Sequence, residues 1–172
     1  MVKILVTGMS GTGKSTVLQE LSRRGHETVD TDSDTWSEFV VSDDQGRSTD
    51  WVWREDRIGR LLDRDVEGVL YVSGCKSNQG RFYDRFDAVV LLSAPAETIL
   101  ERIKTRDTND YGKSARERQQ VLNDLETVEP LLRATSTVEL DSCRPVADVA
   151  DELVTLGEVL LTGGASTRTE RP

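Results

Sequence analysis

Gly8-Met9-Ser10-Gly11-Thr12-Gly13-Lys14-Ser15 lies between a short apolar run, Val2 to Thr7, and a stretch of helical spacing from Lys14 to Arg24. The order to expect is a buried strand, a glycine-rich turn and a helix. Glycines let the backbone curl so that consecutive N–H groups converge on one point. The helix beginning near Lys14 aims its positive N-terminal end at the same point. Such a turn suits an anion, and its spacing fits the phosphate-binding Walker A pattern at every fixed position. In that pattern the Lys14 ammonium reaches the β- and γ-phosphates of a nucleoside triphosphate, and Ser15 supplies a hydroxyl to Mg²⁺. Thr16 is placed to touch the α-phosphate. The expected nucleotide-binding set here is Gly8, Ser10, Gly11, Thr12, Gly13, Lys14, Ser15 and Thr16.

Outward from this turn the chain alternates. Gly25 stops the first helix, and His26 to Asp30 reads as a second strand. Trp36 to Val41 suggests one helical turn or two, and Ser42 to Asp50 a polar loop. From Trp51 to Asp65, the apolar positions Trp51, Ile58, Leu61 and Leu62 predict a helix. Val69 to Ser73 and Ala88 to Leu92 are strand candidates rich in aliphatic residues. Pro95 opens a helix whose apolar face is Ile99, Leu100 and Ile103. The polar Thr105 to Ser114 reads as a mobile loop, followed by helices at Ala115 to Leu125 and Val128 to Ala134. Thr137 to Leu140 is a last strand and Pro145 to Leu161 a last helix. This alternation implies an α/β fold of three layers, a five-stranded parallel sheet covered on both faces by helices. The expected organisation is one domain over 1–161 and a disordered tail over 162–172, which is rich in Gly, Ser, Thr and Arg.

Composition narrows the function classes. The chain has 172 residues, 36% hydrophobic and 31% charged, ordinary for a soluble domain. Its net charge of −9 argues against a nucleic-acid partner, because a polyanion is repelled by most of such a surface. No apolar run approaches the roughly 20 residues that cross a bilayer. The apolar start is too short for a signal peptide and leads directly into the glycine turn. Cys75 and Cys143 stand alone without metal-ligand spacing, as in a reduced cytoplasmic protein, monomeric or homodimeric.

The acids locate the chemistry. Neither Val69-Leu70-Tyr71-Val72-Ser73 nor the strand at Ala88 ends in the aspartate of a switch GTPase. There is no Asn-Lys-x-Asp guanine signature, and the chain is too short for an AAA-type machine with its lid. The acids instead follow the second strand, in Asp30-Thr31-Asp32-Ser33-Asp34. In this order of motifs the chain resembles the P-loop small-molecule kinases of the nucleoside-monophosphate-kinase-like superfamily, above all the shikimate kinase and gluconate kinase branch. The resemblance implies ATP and Mg²⁺, a small acceptor-binding insertion at about 36–65 and a lid at about 105–118. It assigns Asp30, with Ser15, to the metal shell, and Asp32 to the acceptor hydroxyl, with Asp34 beside it. A carboxylate next to the γ-phosphate can take the hydroxyl proton and orient the oxygen for in-line attack. Otherwise this loop simply caps a following helix.

In Glu101-Arg102-Ile103-Lys104-Thr105-Arg106, two arginines four apart share a helix face. By resemblance Arg102 packs on the adenine and Arg106 stabilises the transferring phosphate, making Lys14, Asp32 and Arg106 the catalytic set. Arg116 and Arg118 are further lid candidates. Asp141-Ser142-Cys143-Arg144-Pro145 occupies the place of the base-reading loop, which adds Arg144 to the nucleotide set.

On the acceptor side, Trp51-Val52-Trp53-Arg54 resembles the Phe-Arg of shikimate kinases, so Arg54 is a candidate clamp for an acceptor anion and Trp53 an apolar wall. Gly74 permits close approach of backbone to ligand, and Lys76 is a further acceptor candidate. The segment from Cys75 to Arg81 is more polar and basic than a shikimate site requires, which points to an acceptor with several hydroxyls or a phosphate. Two alternatives stay open, a nucleoside or nucleoside-monophosphate kinase, and a nucleotide-binding regulatory protein with little or no transferase activity.

Overall fold

The computed structural model describes residues 1–41, 48–65, 67–107 and 110–166. Its centre is β1 (Val2–Thr7), which pairs in parallel with β5 (Val69–Ser73) on one side and β6 (Ala88–Ser93) on the other. Outside them stand β2 (Glu27–Asp30) and β7 (Val138–Asp141), giving a five-stranded parallel sheet in the order β2-β5-β1-β6-β7.

Alternation along β1 divides the core. Ile4 and Val6 face one side, where α1 (Lys14–Arg23) brings Val17, Leu18 and Leu21, and α6 (Val146–Ser166) brings Val149, Ala150 and Leu153. Leu5 faces the other side, against Ile58, Leu61 and Leu62 of α2 (Glu55–Asp63) and Phe82 of a 3-10 helix over Gln79–Arg85. Each fully buried aliphatic side chain contributes about 1.5–3 kcal/mol. α3 (Ala96–Thr105) and α4 (Ala115–Thr127) join through Ile99, Ile103 and Val121, and α5 (Glu129–Thr135) seats Leu132 against Met9 and Leu91. Ser114 caps α4, with Glu117 reciprocating in a capping box.

The expected three-layer architecture and all five sheet strands are present. Three local expectations need correction. Trp36 to Val41 is not helical: β3 (Ser37–Val41) pairs antiparallel with β4 (Thr49–Trp53) in a separate two-stranded sheet. The helix expected from Trp51 therefore begins only at Glu55. Aromatic and β-branched residues dominate both strands, and cross-strand packing such as Phe39 on Trp51 favours the extended form. Lastly, α6 runs to Ser166, so the first residues expected in the tail are helical, while 167–172, most of the polar loop (42–47) and part of the lid (108–109) fall outside the described residues.

Candidate active site

Every segment of the site leaves the sheet at a carboxyl end, where ligands of open α/β sheets bind. Registers align those ends: Val6 with Ser73, Asp30 with Ser73, Thr7 with Leu91, and Ser93 with Asp141. The turn after β1 needs its glycines. A Cβ on Gly8 would sit 2.4 Å from the Leu92 carbonyl oxygen, and one on Gly11 would press on Ile99 and Ile103 at 3.0 Å. Gly13 caps α1 at a φ of 90°, a left-handed backbone that favours glycine. Lys14 is buried, and its Nζ donates to the carbonyl oxygens of Gly8 (2.7 Å) and Met9 (3.1 Å), arching the ammonium over the loop. Thr12 Oγ1 donates to Met9 at 2.8 Å and locks the same turn. Ser10 meets Arg106, and Thr16 stays exposed on the first turn of α1.

Ser15 and Asp30 meet across the site, with Ser15 Oγ donating to Asp30 Oδ2 at 2.6 Å. A hydroxyl and a carboxylate are hard oxygen donors that suit Mg²⁺, which keeps several waters and takes phosphate oxygens for its other positions. Asp30 Oδ1 also accepts from the backbone N–H of Asp32 at 3.1 Å, which orients the next acid.

The Asp32 carboxylate is gripped by the Lys76 ammonium, whose side chain is only 6% exposed. Burial pushes the Asp32 carboxyl up. The charge and hydrogen bond of Lys76, with the charges of Lys14 and Arg106, outweigh burial and hold it below its ordinary value. One acid thus feels three cations from three separate segments. Lys76 is positioned in turn by buried Gln79, whose Oε1 accepts from the Lys76 backbone N–H at 3.1 Å.

Helix α3 delivers the arginine pair. Arg106 Nη2 donates to Ser10 Oγ at 3.3 Å and to the Tyr111 carbonyl at 2.7 Å, so it bridges the glycine-rich turn and the segment expected as a lid. Burial lowers its pKa against the pull of Asp32. Arg102 lies 4.0 Å from where a Gly13 Cβ would be, and it donates to Ser142 Oγ (3.1 Å) and the Ser142 carbonyl (2.6 Å). It therefore holds the loop after β7 beside the phosphate turn. Arg144 in that loop pairs with Glu152, and Arg118 donates to the Lys113 carbonyl.

The acceptor-side candidates divide. Lys76 and Asp32 come together. Gly74 is a packing necessity, because its Cβ would lie 2.5 Å from Thr31 Oγ1 and 2.9 Å from the Trp53 ring. Trp53 is 1% exposed and donates from Nε1 to Thr31 Oγ1 at 2.7 Å, which makes it core. Arg54 binds the carbonyls of Asp34 (3.0 Å) and Ser37 (3.3 Å) and the Glu38 carboxylate (2.8 Å). It clamps the turn from β2 into β3, with the exposed Asp34 side chain outside this grip. Trp51, expected only as an apolar helix position, has its ring centroid 5.9 Å from Lys76 Nζ, which strand alternation in β4 would signal; Gln79, in the polar Cys75 to Arg81 segment, is buried beside Lys76. On the opposite face of the hairpin, a cavity of about 550 Å³ lined by Val40, Val52, Glu55, Ser77, Asn78 and Arg81 holds neither Asp30 nor Asp32.

Known proteins give the fold its context. A family model described as AAA domain matches residues 4–123, a span holding the phosphate turn, Asp30, Asp32, Lys76, Arg102 and Arg106. A chain of this length is not expected to be an AAA-type machine, yet residues 4–123 match this family. No curated protein matches the sequence. Among solved structures, shikimate kinase from Acinetobacter baumannii in complex with shikimate superposes with a TM-score of 0.64 at 20% identity, covering 99% of this chain and 96% of that one. A gluconokinase from Sinorhizobium meliloti gives 0.56 at 18% identity, with 98% of each chain covered. Deoxyadenosine kinase from M. mycoides with bound dATP gives 0.58 at 15%, covering 90% of this chain and 98% of that one. The chain belongs to the AAA domain family, and its fold is that of the P-loop small-molecule kinases of the shikimate and gluconate kinase branch.

Proposed function

We propose that this protein transfers the γ-phosphoryl group of ATP to a hydroxyl of a small-molecule acceptor. The observation that carries the reading is the meeting of Asp32, Lys76, Lys14 and Arg106 at the mouth of the phosphate turn. In the reaction the acceptor oxygen attacks the γ-phosphorus while the bond to the β–γ bridging oxygen breaks and ADP leaves. The acceptor proton passes to Asp32, and the charge on the transferring group is met by Lys14 and Arg106. Ser15 and Asp30 would hold Mg²⁺, which would neutralise phosphate charge. Arg102 and the loop it holds, Ser142 to Arg144, would border the base, and ATP is favoured because no guanine-reading signature is present. Two free cysteines and the need for ATP go with a cytoplasmic location. Among the described residues no helix is long and apolar enough to cross a membrane.

The test is phosphoryl transfer from ATP to panels of hydroxy-acids, sugars, nucleosides and nucleotides. Asp32→Asn is expected to retain ATP binding and lose about 10²–10⁴-fold in kcat, the usual contribution of a positioned general base. Unchanged transfer in that variant removes Asp32 from the chemistry. If Lys14→Ala abolishes nucleotide binding while no acceptor raises turnover above background hydrolysis, the regulatory reading takes its place.

A further inference from the structure

The hairpin of β3 and β4 sets Phe39 and Trp51 opposite each other as cross-strand partners, with ring centroids 4.5 Å apart. Phe39 is 70% exposed and Trp51 half-buried, an aromatic surface open to water. Two residues along the same strand face, Trp53 points inward to Thr31 and Gly74. That face therefore turns towards the loop carrying Asp32. Lys76 fixes the relation, because its ammonium binds Asp32 and lies 5.9 Å from the Trp51 ring centroid. Phe39, Trp51, Lys76 and Asp32 line one wall, apolar at one end, where the two rings tilt by 50°, and hydrogen-bonding at the other.

Charge decides what such a wall accepts. Lys76 is neutralised by Asp32. Arg54 is engaged by two carbonyls and Glu38, and Arg57 donates to the Thr35 carbonyl at 2.8 Å. Lys76 and Arg54 are held by full counter-charges, Asp32 and Glu38, so an anionic acceptor would have to displace a carboxylate from either. An aromatic face instead favours a flat partner, either a π-system or the C–H face of a saturated ring.

We propose, resting on the kinase reading above, that Trp51 with Phe39 is the platform on which the acceptor lies, and that the acceptor is an uncharged ring compound whose hydroxyl is held at Asp32. Carbohydrates and nucleosides share that chemistry, and the test separates them.

The protein is labelled with 5-fluorotryptophan, giving one fluorine signal for each of its three tryptophans, with Trp51 assigned through Trp51→Phe. Neutral sugars, nucleosides and ring hydroxy-carboxylates are titrated in the presence of Mg²⁺ and a non-hydrolysable ATP analogue. A neutral ring compound is expected to shift the Trp51 signal saturably. As a substrate it should show a KM raised about tenfold or more in Trp51→Ala, restored by Trp51→Phe, with the KM for ATP unchanged. Whether a sugar or a nucleoside gives this response names the source. Preference for a carboxylate over every neutral compound overturns the inference, as does a panel in which nothing moves the Trp51 signal. A phosphorylated substrate indifferent to Trp51→Ala sinks the platform and leaves the kinase reading standing. A saturable Trp51 shift without any phosphoryl transfer does the reverse.

Discussion

Lys76 stands 44 residues from Asp32 in sequence and against it in space. In the proposed reaction the pair sets the working range of the acid. Burial alone would raise the Asp32 pKa and leave it partly protonated closer to neutrality; Lys76 is the chief influence reversing that, followed by Lys14 and Arg106. A base with a depressed pKa remains ionised as the pH falls through the ordinary carboxylate range. For the native protein, kcat/KM should therefore stay level on the acid side until below the usual aspartate value. Lys76→Met removes the main lowering charge and leaves burial in force, so the acid limb should move to higher pH. Profiles of kcat/KM between about pH 3 and pH 8 check this, since that plot reports the free enzyme's essential groups. A limb that stays in place would mean that Lys76 does not govern Asp32.

At the scale of elements, three segments close on one atom-wide gap. The ends of β2 and β5 and the base of the hairpin meet where Thr31 Oγ1 donates to the Ser73 carbonyl at 2.6 Å and accepts from Trp53 Nε1. Gly74 fills what space remains. Gly74→Ala would drive its methyl into Thr31 and Trp53, and overpacking of this kind costs about 1–3 kcal/mol. Urea denaturation should show that loss, and the acceptor KM should rise more than the KM for ATP because the hairpin moves and the phosphate turn does not. This junction also explains what was legible in the sequence. The phosphate turn is local: glycine spacing, Lys14 and Ser15 all lie within eight residues, Asp30 ends the next strand and Asp32 follows it directly. The hairpin is not local. Trp51 falls in phase with Ile58 and Leu61 as a helix would have it, and its cross-strand pairing with Phe39 is what makes it a strand. For the same reason Arg54 reads as a ligand clamp in sequence, while in the fold it holds the turn at Asp34 and Ser37.

For the whole molecule, the proposed nucleotide and acceptor regions rest on different parts of the scaffold. The phosphate turn, α3 and the loop after β7 are locked through Gly11, Arg102 and Ser142, and the hairpin is attached separately through Trp53 and Arg54. Nucleotide alone should therefore stabilise the fold, because it bridges β1, α1 and α3 without needing the hairpin. A ligand at a hundred times its Kd adds about 2.7 kcal/mol. In a domain of this size each kcal/mol raises Tm by about 2–4 °C, so saturating Mg·ATP should raise it by about 5–10 °C. The Ser15–Asp30 oxygens predict that chelating Mg²⁺ reduces the rise, and that Ser15→Ala reduces it without chelator. Lys14→Ala should nearly erase it, measured against that variant's own ligand-free Tm, since the Gly8 and Met9 carbonyls also lose their donor. Scanning fluorimetry of the three proteins, with and without Mg²⁺, decides the matter. An equal shift in all of them would place the nucleotide away from the turn at Gly8.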